Sequence, residues 1–377
     1  MLIGVDASRA VVARRTGTEF YSLRLIEALL GLDTPHRLRL YFNRLPQEPG
    51  LWTQDRAADP RVELRSIPFP RLWTHLRLGL EVATCPPDVL FVPSHVLPLW
   101  TRPPAVATVH DLGYLYFPEA HPARQRWYLD WSTRHNARTA RVVVADSQAT
   151  RDDLVTHYAV PPAKIVVAYP GFDARLAPVT DPAAIAALKQ RYAIRGDYFL
   201  HIGTLQPRKN LARLVQAFGQ LPSATRIQVV MVGKKGCLYD DLLQQVARLG
   251  LQERVLFSGY VDDAEKAVLL SAASAYVFPS LYEGFGFPAL EAQACDTPLV
   301  CANSSSLPEV AGEGTLLVDP LDVDAWTRAM ARVLEDAPLR ADLVARGRRN
   351  LRRFSWEACA TAVLQALEKA SRTPVHR

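Results

Sequence analysis

Short runs of apolar and β-branched residues alternate with longer segments of helical periodicity along the whole chain. Several runs are continuously apolar, which is typical of parallel strands that helices cover on both faces. Alternation of this kind predicts an α/β protein with doubly wound parallel sheets. In the first half, strands are predicted at 2–5, 38–42, 62–67, 89–92, 106–109, 142–145 and 165–168. In the second half, they are predicted at 198–202, 227–232, 255–257, 275–278, 299–301 and 315–318.

A stretch rich in proline, residues 169–182, separates the two halves. A chain of 377 residues is longer than one ordinary core supports, so two domains are expected. We place them at 1–172 and 173–355, with their sheets facing a central cleft. The remaining segment, 356–377, has apolar residues at helical spacing. It is predicted to form a terminal helix that either stays on the second domain or crosses back to the first.

The composition is that of a soluble globular protein, with 49% hydrophobic and 22% charged residues. The sequence has no apolar run of about 18 residues, the length of a membrane-spanning helix, and no signal-peptide core near its start. We therefore expect a cytoplasmic protein. The net charge of +6 is mild for a protein that binds nucleic acid, so no nucleic-acid partner is expected. Attraction to an anionic lipid surface or to a diphosphate ligand fits this charge better.

The cysteines are five in number and include no Cys-x-x-Cys pair. An odd number without paired spacing argues against a disulfide framework and against a zinc site. We expect buried, reduced thiols. They are Cys85, Cys237, Cys295, Cys301 and Cys359.

The most informative segment, residues 282–292, places Glu283 and Glu291 around a glycine-rich turn. A predicted strand precedes the turn, and Pro288 stands at the expected first position of a helix after it. Such a turn aims backbone N–H groups and the helix dipole at one spot, which favours an anionic ligand. Carboxylates beside a bare phosphate would repel it. They fit a ligand that carries hydroxyls beside its phosphates, as a sugar nucleotide does.

Two cations, Arg208 and Lys209, follow the predicted strand 198–202 and precede a helix expected to begin near Asn210. Cations at this position are suited to neutralising a diphosphate and stabilising its departure. Ligands bind at the carboxyl ends of strands in open α/β sheets. We therefore expect the two cations and the two glutamates of the second half to line one ligand site.

Three motifs in this order resemble glycosyltransferase family 4, the retaining "group 1" family with the GT-B fold. They are Gly-Thr-Leu-Gln-Pro-Arg-Lys-Asn at 203–210, the two-glutamate motif at 279–292, and Ser-Ser-Ser-Leu-Pro-Glu-Val at 304–310. The first half agrees at 108–112, 117–119, 146–148 and 169–171. The resemblance covers nearly the whole chain and implies two Rossmann-like domains. The most similar members in pattern are bacterial enzymes of O-antigen and exopolysaccharide assembly, many of them mannosyltransferases.

The resemblance implies a role for each matching residue. Glu291 is expected to bind the ribose hydroxyls, while Glu283 faces the transferred sugar and stabilises positive charge at its anomeric carbon. His110 is expected to approach that sugar from the other domain. The expected catalytic set is His110, Arg208, Lys209 and Glu283. The expected donor-binding set is Gly17, Gly203, Thr204, Arg208, Lys209, Gly284, Phe285, Gly286, Phe287 and Glu291.

Two of these positions match the family less closely. Many members place an arginine after the glycine at 203, whereas this chain has Thr204. Arg208 and Lys209 would then carry the phosphate charge between them, or Thr204 would contribute a hydroxyl. The loop from Asp6 to Glu19 matches the family's glycine loop only at Gly17, so a simple helix start explains it equally well.

The implied activity is retaining transfer of a hexose, mannose from GDP-mannose, to a glycan or lipid-linked acceptor in cell-surface polysaccharide assembly. No cofactor and no metal are expected. A UDP-, dTDP- or ADP-sugar donor remains an alternative. A GT-B sugar-nucleotide epimerase and a non-catalytic sugar-nucleotide-binding partner are further alternatives, and the two-glutamate segment argues against the epimerase.

Several other patterns have structural explanations. Asp322 and Asp324 match a metal-binding Asp-x-Asp pattern but precede a helix predicted at 325–334, so a helix cap is the preferred interpretation. Ser306 and Glu309 are interpreted as a capping box. Residues 72–80 form an apolar stripe beside arginines, which is compatible with a membrane surface or a lipid-linked acceptor. Packing on the sheet is the preferred interpretation of this stripe, and core packing that of Trp127, Tyr128 and Trp131.

Overall fold

The computed structural model describes residues 1–12, 17–44, 59–222, 227–236 and 239–372. The chain divides into two compact units. The first comprises Met1–Tyr114, Ala123–Gly171 and Phe354–Arg377, and the second comprises Leu115–Pro122 and Phe172–Arg353. Within the described ranges, no helix is both long enough and apolar enough to cross a bilayer.

The first unit contains a seven-stranded sheet in the order β3-β2-β1-β4-β5-β6-β7, and every neighbouring pair is parallel. Its central strands are buried on both faces, as their continuous apolar sequences predict. The strand order reverses between β1 and β4, which makes a switch point of the doubly wound kind. The strands are β1 Leu2–Asp6, β2 Arg37–Phe42, β3 Val62–Ser66, β4 Val89–Val92, β5 Ala105–Val109, β6 Val142–Ala145 and β7 Ile165–Val167.

The second unit contains a six-stranded sheet in the order β10-β9-β8-β11-β12-β13, again parallel throughout. Its switch point lies between β8 and β11, where Ala275 pairs with Phe199. A separate core of aliphatic and aromatic side chains covers this sheet. The strands are β8 Tyr198–Ile202, β9 Gln228–Val232, β10 Val255–Gly259, β11 Ala275–Phe278, β12 Leu299–Ala302 and β13 Leu316–Val318.

Helices connect the strands. They are α1 Gly17–Gly31, α2 Gly79–Thr84, α3 Gly113–Tyr116, α4 Ala123–Thr139, α5 Gln148–Tyr158, α6 Pro182–Arg191, α7 Leu211–Gly219, α8 Tyr239–Arg248, α9 Asp263–Ser271, α10 Phe287–Ala294, α11 Leu307–Ala311, α12 Val323–Glu335, α13 Ala337–Leu351 and α14 Trp356–Arg372. Shorter turns occur at Thr74–Leu78, which is π-helical, and at Pro118–Ala120, Pro162–Lys164 and Pro207–Lys209, which are 3₁₀-helical.

The terminal helix α14 packs on the first unit. Its apolar residues Ala360, Val363 and Leu367 are fully buried in that unit's core. At its first residue, the Trp356 ring lies 5.8 Å from the ring of Tyr21 in α1. A Cβ at Gly171 would lie 2.4 Å from the Trp356 nitrogen, so the close approach of these two segments requires a glycine there.

The predicted strands are confirmed with end shifts of one or two residues, and Asp322 caps α12 by accepting a hydrogen bond from the Ala325 N–H. Three local predictions are wrong. Cys85 is exposed rather than buried, whereas Cys237 lies outside the described residues. Pro288 is the second residue of α10 rather than the first. Trp127 and Tyr128 are also exposed, because the part of α4 that carries them has no covering element among the described residues.

The sequence favours packing of the apolar stripe 72–80 on the sheet, but the structure shows this for only part of the stripe. Trp73 and Leu78 are buried, but Leu72, Leu76 and Leu80 are exposed. Leu76 lies in the π-helical turn at Thr74–Leu78 and Leu80 in α2, so their spacing of four residues, close to one helical turn, puts these two leucines on one side. Leu72 precedes the turn.

Candidate functional site

The predicted cations and glutamates gather at the switch point of the second sheet. The loop 203–209 follows β8 and the loop 279–286 follows β11, and these strands are neighbours. Carboxyl ends of neighbouring parallel strands meet at one sheet edge, where open α/β sheets bind ligands. The Leu281 N–H donates to the Arg208 carbonyl over 2.8 Å, which ties the two loops together.

Glu283 accepts hydrogen bonds from both predicted cations. Arg208 Nη1 lies 3.0 Å from Glu283 Oε2 and also donates to the Tyr282 carbonyl oxygen over 2.8 Å. Lys209 Nζ donates to the other carboxylate oxygen, Oε1. The 3₁₀ turn at Pro207–Lys209 brings the two basic side chains to one carboxylate.

The cluster is buried, with 6% of Lys209 and 7% of Glu283 exposed. Burial by itself would raise the pKa of Glu283, but the charges of Arg208 and Lys209 outweigh it and lower the pKa to about 2. Glu283 is therefore a carboxylate at neutral pH. Behind the cluster, burial lowers the pKa of His201 to about 4, so its imidazole is neutral and adds no further positive charge.

The glycine turn owes its shape to a left-handed residue and two serines. Gly286 has φ of 101°, and a Cβ there would lie 2.8 Å from Leu307 Cδ2. The Ser306 hydroxyl donates to the carbonyl oxygens of Glu283, at 2.9 Å, and Phe285, at 2.8 Å. Ser305 Oγ accepts from the Glu283 N–H over 2.8 Å. The serines after β12 thus hold the turn in position.

The capping-box interpretation of Ser306 is wrong for the same reason. Ser306 precedes α11 with helical φ and ψ, and its side chain makes no cap hydrogen bond. Its hydroxyl is occupied by the two turn carbonyls, so it stabilises the turn instead of the helix.

Glu291 lies on α10, in a different part of this edge, and pairs with Lys266 of α9. The two side chains are 12% and 21% exposed. The sequence gives no sign of Lys266 as a partner, because α9 is separated from the glycine turn by a whole strand and nothing local marks the pairing. The second glutamate therefore has its own cation, distinct from those that hold the first.

Gly203 and Thr204 lie where β8 and β9 end side by side. A Cβ at Gly233 would lie 1.9 Å from the Gly203 carbonyl oxygen, so the loops after these strands approach as closely as backbones can. Leu205 N–H donates to the Lys234 carbonyl over 2.9 Å, which places two more lysines, Lys234 and Lys235, beside the exposed Thr204. This basic pair is not among the residues predicted from the sequence, although a glycine directly after a strand, here Gly233, indicates a loop that could reach the ligand site.

In the first unit, His110 follows β5 and Asp146 follows the neighbouring β6. His110 Nδ1 lies 2.6 Å from Asp146 Oδ2. Burial raises the pKa of Asp146, and the charge and hydrogen bond of His110 oppose this rise. The ionised carboxylate only accepts hydrogen bonds, so in that state Nδ1 carries the hydrogen and Nε2 is the atom left for other partners. Nε2 is buried and has no hydrogen-bond partner of normal geometry among the described residues, although the Pro93 backbone also favours the charged imidazole. The sequence places Asp146 in one of the motifs that match the family but predicts no role for it.

The surroundings of His110 favour its charged form. Burial opposes protonation, but the Asp146 carboxylate outweighs it, with help from Asp111, and raises the pKa of the imidazole. The Tyr21 ring packs edge-on against His110, with centroids 4.7 Å apart. The imidazole is therefore held from two sides, by α1 and by the end of β6.

Gly17 is the first residue of α1 and is exposed, so the structure is consistent with a helix start there. The loop before it, 13–16, lies outside the described residues. The described ranges contain no group of three or more His, Cys, Asp or Glu side chains suited to holding a metal ion.

Comparison with known proteins gives two family matches that together cover most of the chain. Residues 15–176 match "Glycosyltransferase Family 4" and residues 187–350 match "Glycosyl transferases group 1". The chain is 36% identical over 266 residues to O-antigen chain mannosyltransferase B of Escherichia coli, covering 70% of this chain and 69% of that protein. It is 31% identical over 192 residues to serotype-specific mannosyltransferase WbdA of Escherichia coli, covering 49% of this chain and 23% of that protein.

Among solved structures, the chain resembles Anabaena Alr3699/HepE in complex with UDP-glucose. The TM-score is 0.73 with 21% sequence identity, over 98% of this chain and 99% of that one. At this identity the likeness concerns the fold, which is the GT-B arrangement of two Rossmann-like domains.

Proposed function

Because this chain belongs to the group 1 glycosyltransferases of family 4, we propose that it is a retaining hexosyltransferase with a nucleotide-diphosphate sugar as donor. The observation that carries the proposal is the cluster of Arg208, Lys209 and Glu283 at the switch point of the second sheet. The two cations match the charge of a diphosphate, and the carboxylate matches sugar hydroxyls. Glu291 then receives the ribose hydroxyls.

The proposed donor is GDP-mannose. Mannose is supported by two similar proteins that are described as mannosyltransferases. Guanine is the expectation that comes from the sequence resemblance. The proposed acceptor is a hydroxyl of a glycan or a lipid-linked saccharide, in keeping with a relative described as acting on the O-antigen chain. The reaction would then take place in the cytoplasm, at the inner face of the membrane.

We propose front-face attack for the chemical step. The bond from the anomeric carbon to the diphosphate oxygen breaks, the acceptor oxygen bonds to the same face, and its proton passes to the departing phosphate. Arg208 and Lys209 stabilise the negative charge that grows on the leaving group. Glu283, with its pKa lowered to about 2 by these cations despite burial, stays negative and offsets the positive charge that grows at the anomeric carbon.

His110 of the first unit contributes a polar atom to the sugar in this proposal. Asp146 keeps the hydrogen on Nδ1, so Nε2 is the atom that meets a sugar hydroxyl. No metal is required, because Arg208, Lys209 and the N-terminus of α10 supply positive charge for the diphosphate. Activity that survives removal of divalent cations with EDTA would support this part.

Thermal-shift measurements with GDP, UDP, dTDP and ADP test the donor assignment, because a ligand that binds the folded state raises the midpoint of unfolding. GDP and GDP-mannose are expected to give the largest shift. The anomeric configuration of the product, followed by NMR, tests retention. Conversion of the donor to an epimeric sugar nucleotide in the absence of any acceptor would overturn the transferase assignment. A rise in the unfolding midpoint with UDP but not with GDP would overturn the assignment of guanine as the donor's base.

A further inference from the structure

The exposed apolar side chains of the first unit are concentrated on one surface. Within the described part of this unit, every exposed large hydrophobic residue lies in the segments 69–80, 99–100 or 127–128. The exposed fraction reaches 66% at Leu72, 69% at Trp100 and 68% at Trp127. We call Leu72, Leu76, Leu80, Leu99, Trp100 and Trp127 the leucine–tryptophan surface.

These segments touch one another. A Cβ at Gly79 of α2 would lie 3.4 Å from Pro98 Cβ, and Arg102 Nη1 lies 3.5 Å from the Ala83 carbonyl oxygen. The loop that carries Leu99 and Trp100 therefore packs directly against α2. The His135 ring of α4 lies within hydrogen-bond distance of the same loop, with Nε2 at 3.1 Å from the Pro98 carbonyl oxygen.

Helix α4 joins the surface through Trp131. Its ring lies 5.6 Å from that of His75, in the turn before α2, and stacks on the exposed Trp127 with centroids 6.4 Å apart. The three segments thus contact one another, and each carries exposed apolar side chains, whereas such side chains are normally scattered singly over a protein surface.

The charges in this region are strongly one-sided. The segments 69–84, 98–102 and 123–139 contain seven arginines and two carboxylates. Both carboxylates are already paired: Glu81 with Arg65 and Arg77, each at 3.0 Å, and Asp130 with Arg134 at 2.9 Å. The arginines Arg71, Arg102, Arg124 and Arg126 are exposed and belong to the same three segments as the apolar residues.

We propose that the leucine–tryptophan surface docks on an anionic lipid bilayer. The leucines and tryptophans enter the interfacial layer, and the arginines face the headgroup phosphates. Tryptophan beside arginine around an aliphatic stripe is the composition that such an interface favours. A two-fold dimer through the same surface is disfavoured, because it would set these arginines against those of its own copy. Membrane docking rests on the proposed function only through the lipid-linked acceptor, and it requires no particular donor.

The test is co-sedimentation of the full chain with vesicles of phosphatidylglycerol and phosphatidylcholine, compared with vesicles of phosphatidylcholine alone. Binding is expected to the anionic vesicles, to weaken as salt is raised, and to shift tryptophan fluorescence to shorter wavelength. Replacing Leu72, Leu76 and Leu80 by serine is expected to lower the partition coefficient by about ten-fold or more, since three buried aliphatic side chains are lost.

The matched control replaces Leu243, Leu249 and Leu321 by serine, because these leucines are also exposed but lie in the second unit. This control is expected to bind vesicles like the unchanged protein. Both triple variants should keep the thermal shift with nucleotide, which shows that they are folded and keeps this test separate from the donor assignment. Equal loss in both variants, or equal binding to neutral vesicles, would overturn the proposal. So would a dimer that the first triple variant abolishes, which would make the surface a protein interface.

Discussion

The imidazole of His110 and the carboxylate of Asp146 form a buried pair at the ends of neighbouring strands, with Nδ1 and Oδ2 2.6 Å apart. The residues that directly follow β5 and β6 are therefore coupled at the edge of the first sheet. The pair decides which imidazole nitrogen carries the hydrogen and how readily the ring gains a second one.

Asp146→Asn is expected to lower the transfer rate by about 10²-fold, which is the size of effect that a side chain acting through its proton in the transition state usually has. The substitution removes the charge that raises the pKa of His110. An asparagine whose NH2 group faces Nδ1 would also move the imidazole hydrogen to Nε2. ¹⁵N NMR of the histidine side chains should show the other tautomer and a titration at lower pH. Asp152→Asn, at an exposed carboxylate of α5, is the control and should change neither. A His110 titration that does not move to lower pH in Asp146→Asn would contradict the assignment.

Glu283→Ala and Lys209→Ala are each expected to lower transfer by about 10²–10³-fold, because each removes a group that stabilises charge in the transition state. Each should also destabilise the fold, since Glu283→Ala removes the buried carboxylate that two cations share and Lys209→Ala leaves that carboxylate with Arg208 alone. The double variant Lys209→Met/Glu283→Gln separates the two effects. It should regain stability in urea unfolding but not activity in steady-state kinetics. Near-full transfer activity in either single variant would refute the role given to that residue.

The acid stability of the second unit should depend on Glu283. Its pKa is lowered from 4.5 to about 2, so the carboxylate adds stability above pH 4.5 and loses it as the pH falls through 2. That stabilisation is on the order of 3 kcal/mol at neutral pH. Urea unfolding of the unchanged protein and of Glu283→Gln should differ by this order at pH 6. The difference should shrink between pH 4.5 and 2, and a gap that stays constant would refute the assigned pKa.

Gly286→Ala is expected to destabilise the protein by more than about 1 kcal/mol, because it adds left-handed backbone strain to a clash with Leu307. Gly196→Ala is the matched control, since Gly196 has nearly the same φ, 100°, but open space around it. Thermal unfolding should show the smaller loss for the control. A second change, Leu307→Ala, in the Gly286→Ala background should recover the steric part of the loss, and equal losses at the two glycines would show that no clash exists.

Thiol labelling should distinguish the four described cysteines. Cys85 is exposed, whereas Cys295, Cys301 and Cys359 are buried. Burial also raises the pKa of Cys295 to about 12, so it offers little reactive thiolate. Peptide mapping after brief treatment with a maleimide should find the label on the Cys85 peptide and little on these three. Fast labelling of Cys301 in the native protein would contradict its burial.

The amino-acid sequence determined the strands and the sheet type of this protein, because each parallel strand covered on both faces must be continuously apolar. It also determined the chemistry at the second sheet, where each group lies within a few residues of a strand end: Arg208 and Lys209 after β8, and Glu283 after β11. The family resemblance supplied His110 and the expected role of Glu291.

The tertiary structure decided which of these residues are partners. Glu283 pairs with both Arg208 and Lys209, Glu291 pairs with Lys266, and His110 pairs with Asp146. It also decided that Ser306 braces the glycine turn and that Leu72, Leu76 and Leu80 stay exposed. Local periodicity shows which residues share a face, but it does not show what covers that face or which distant strand end brings a counter-charge. Those facts depend on strand order, which joins residues that lie far apart in the chain.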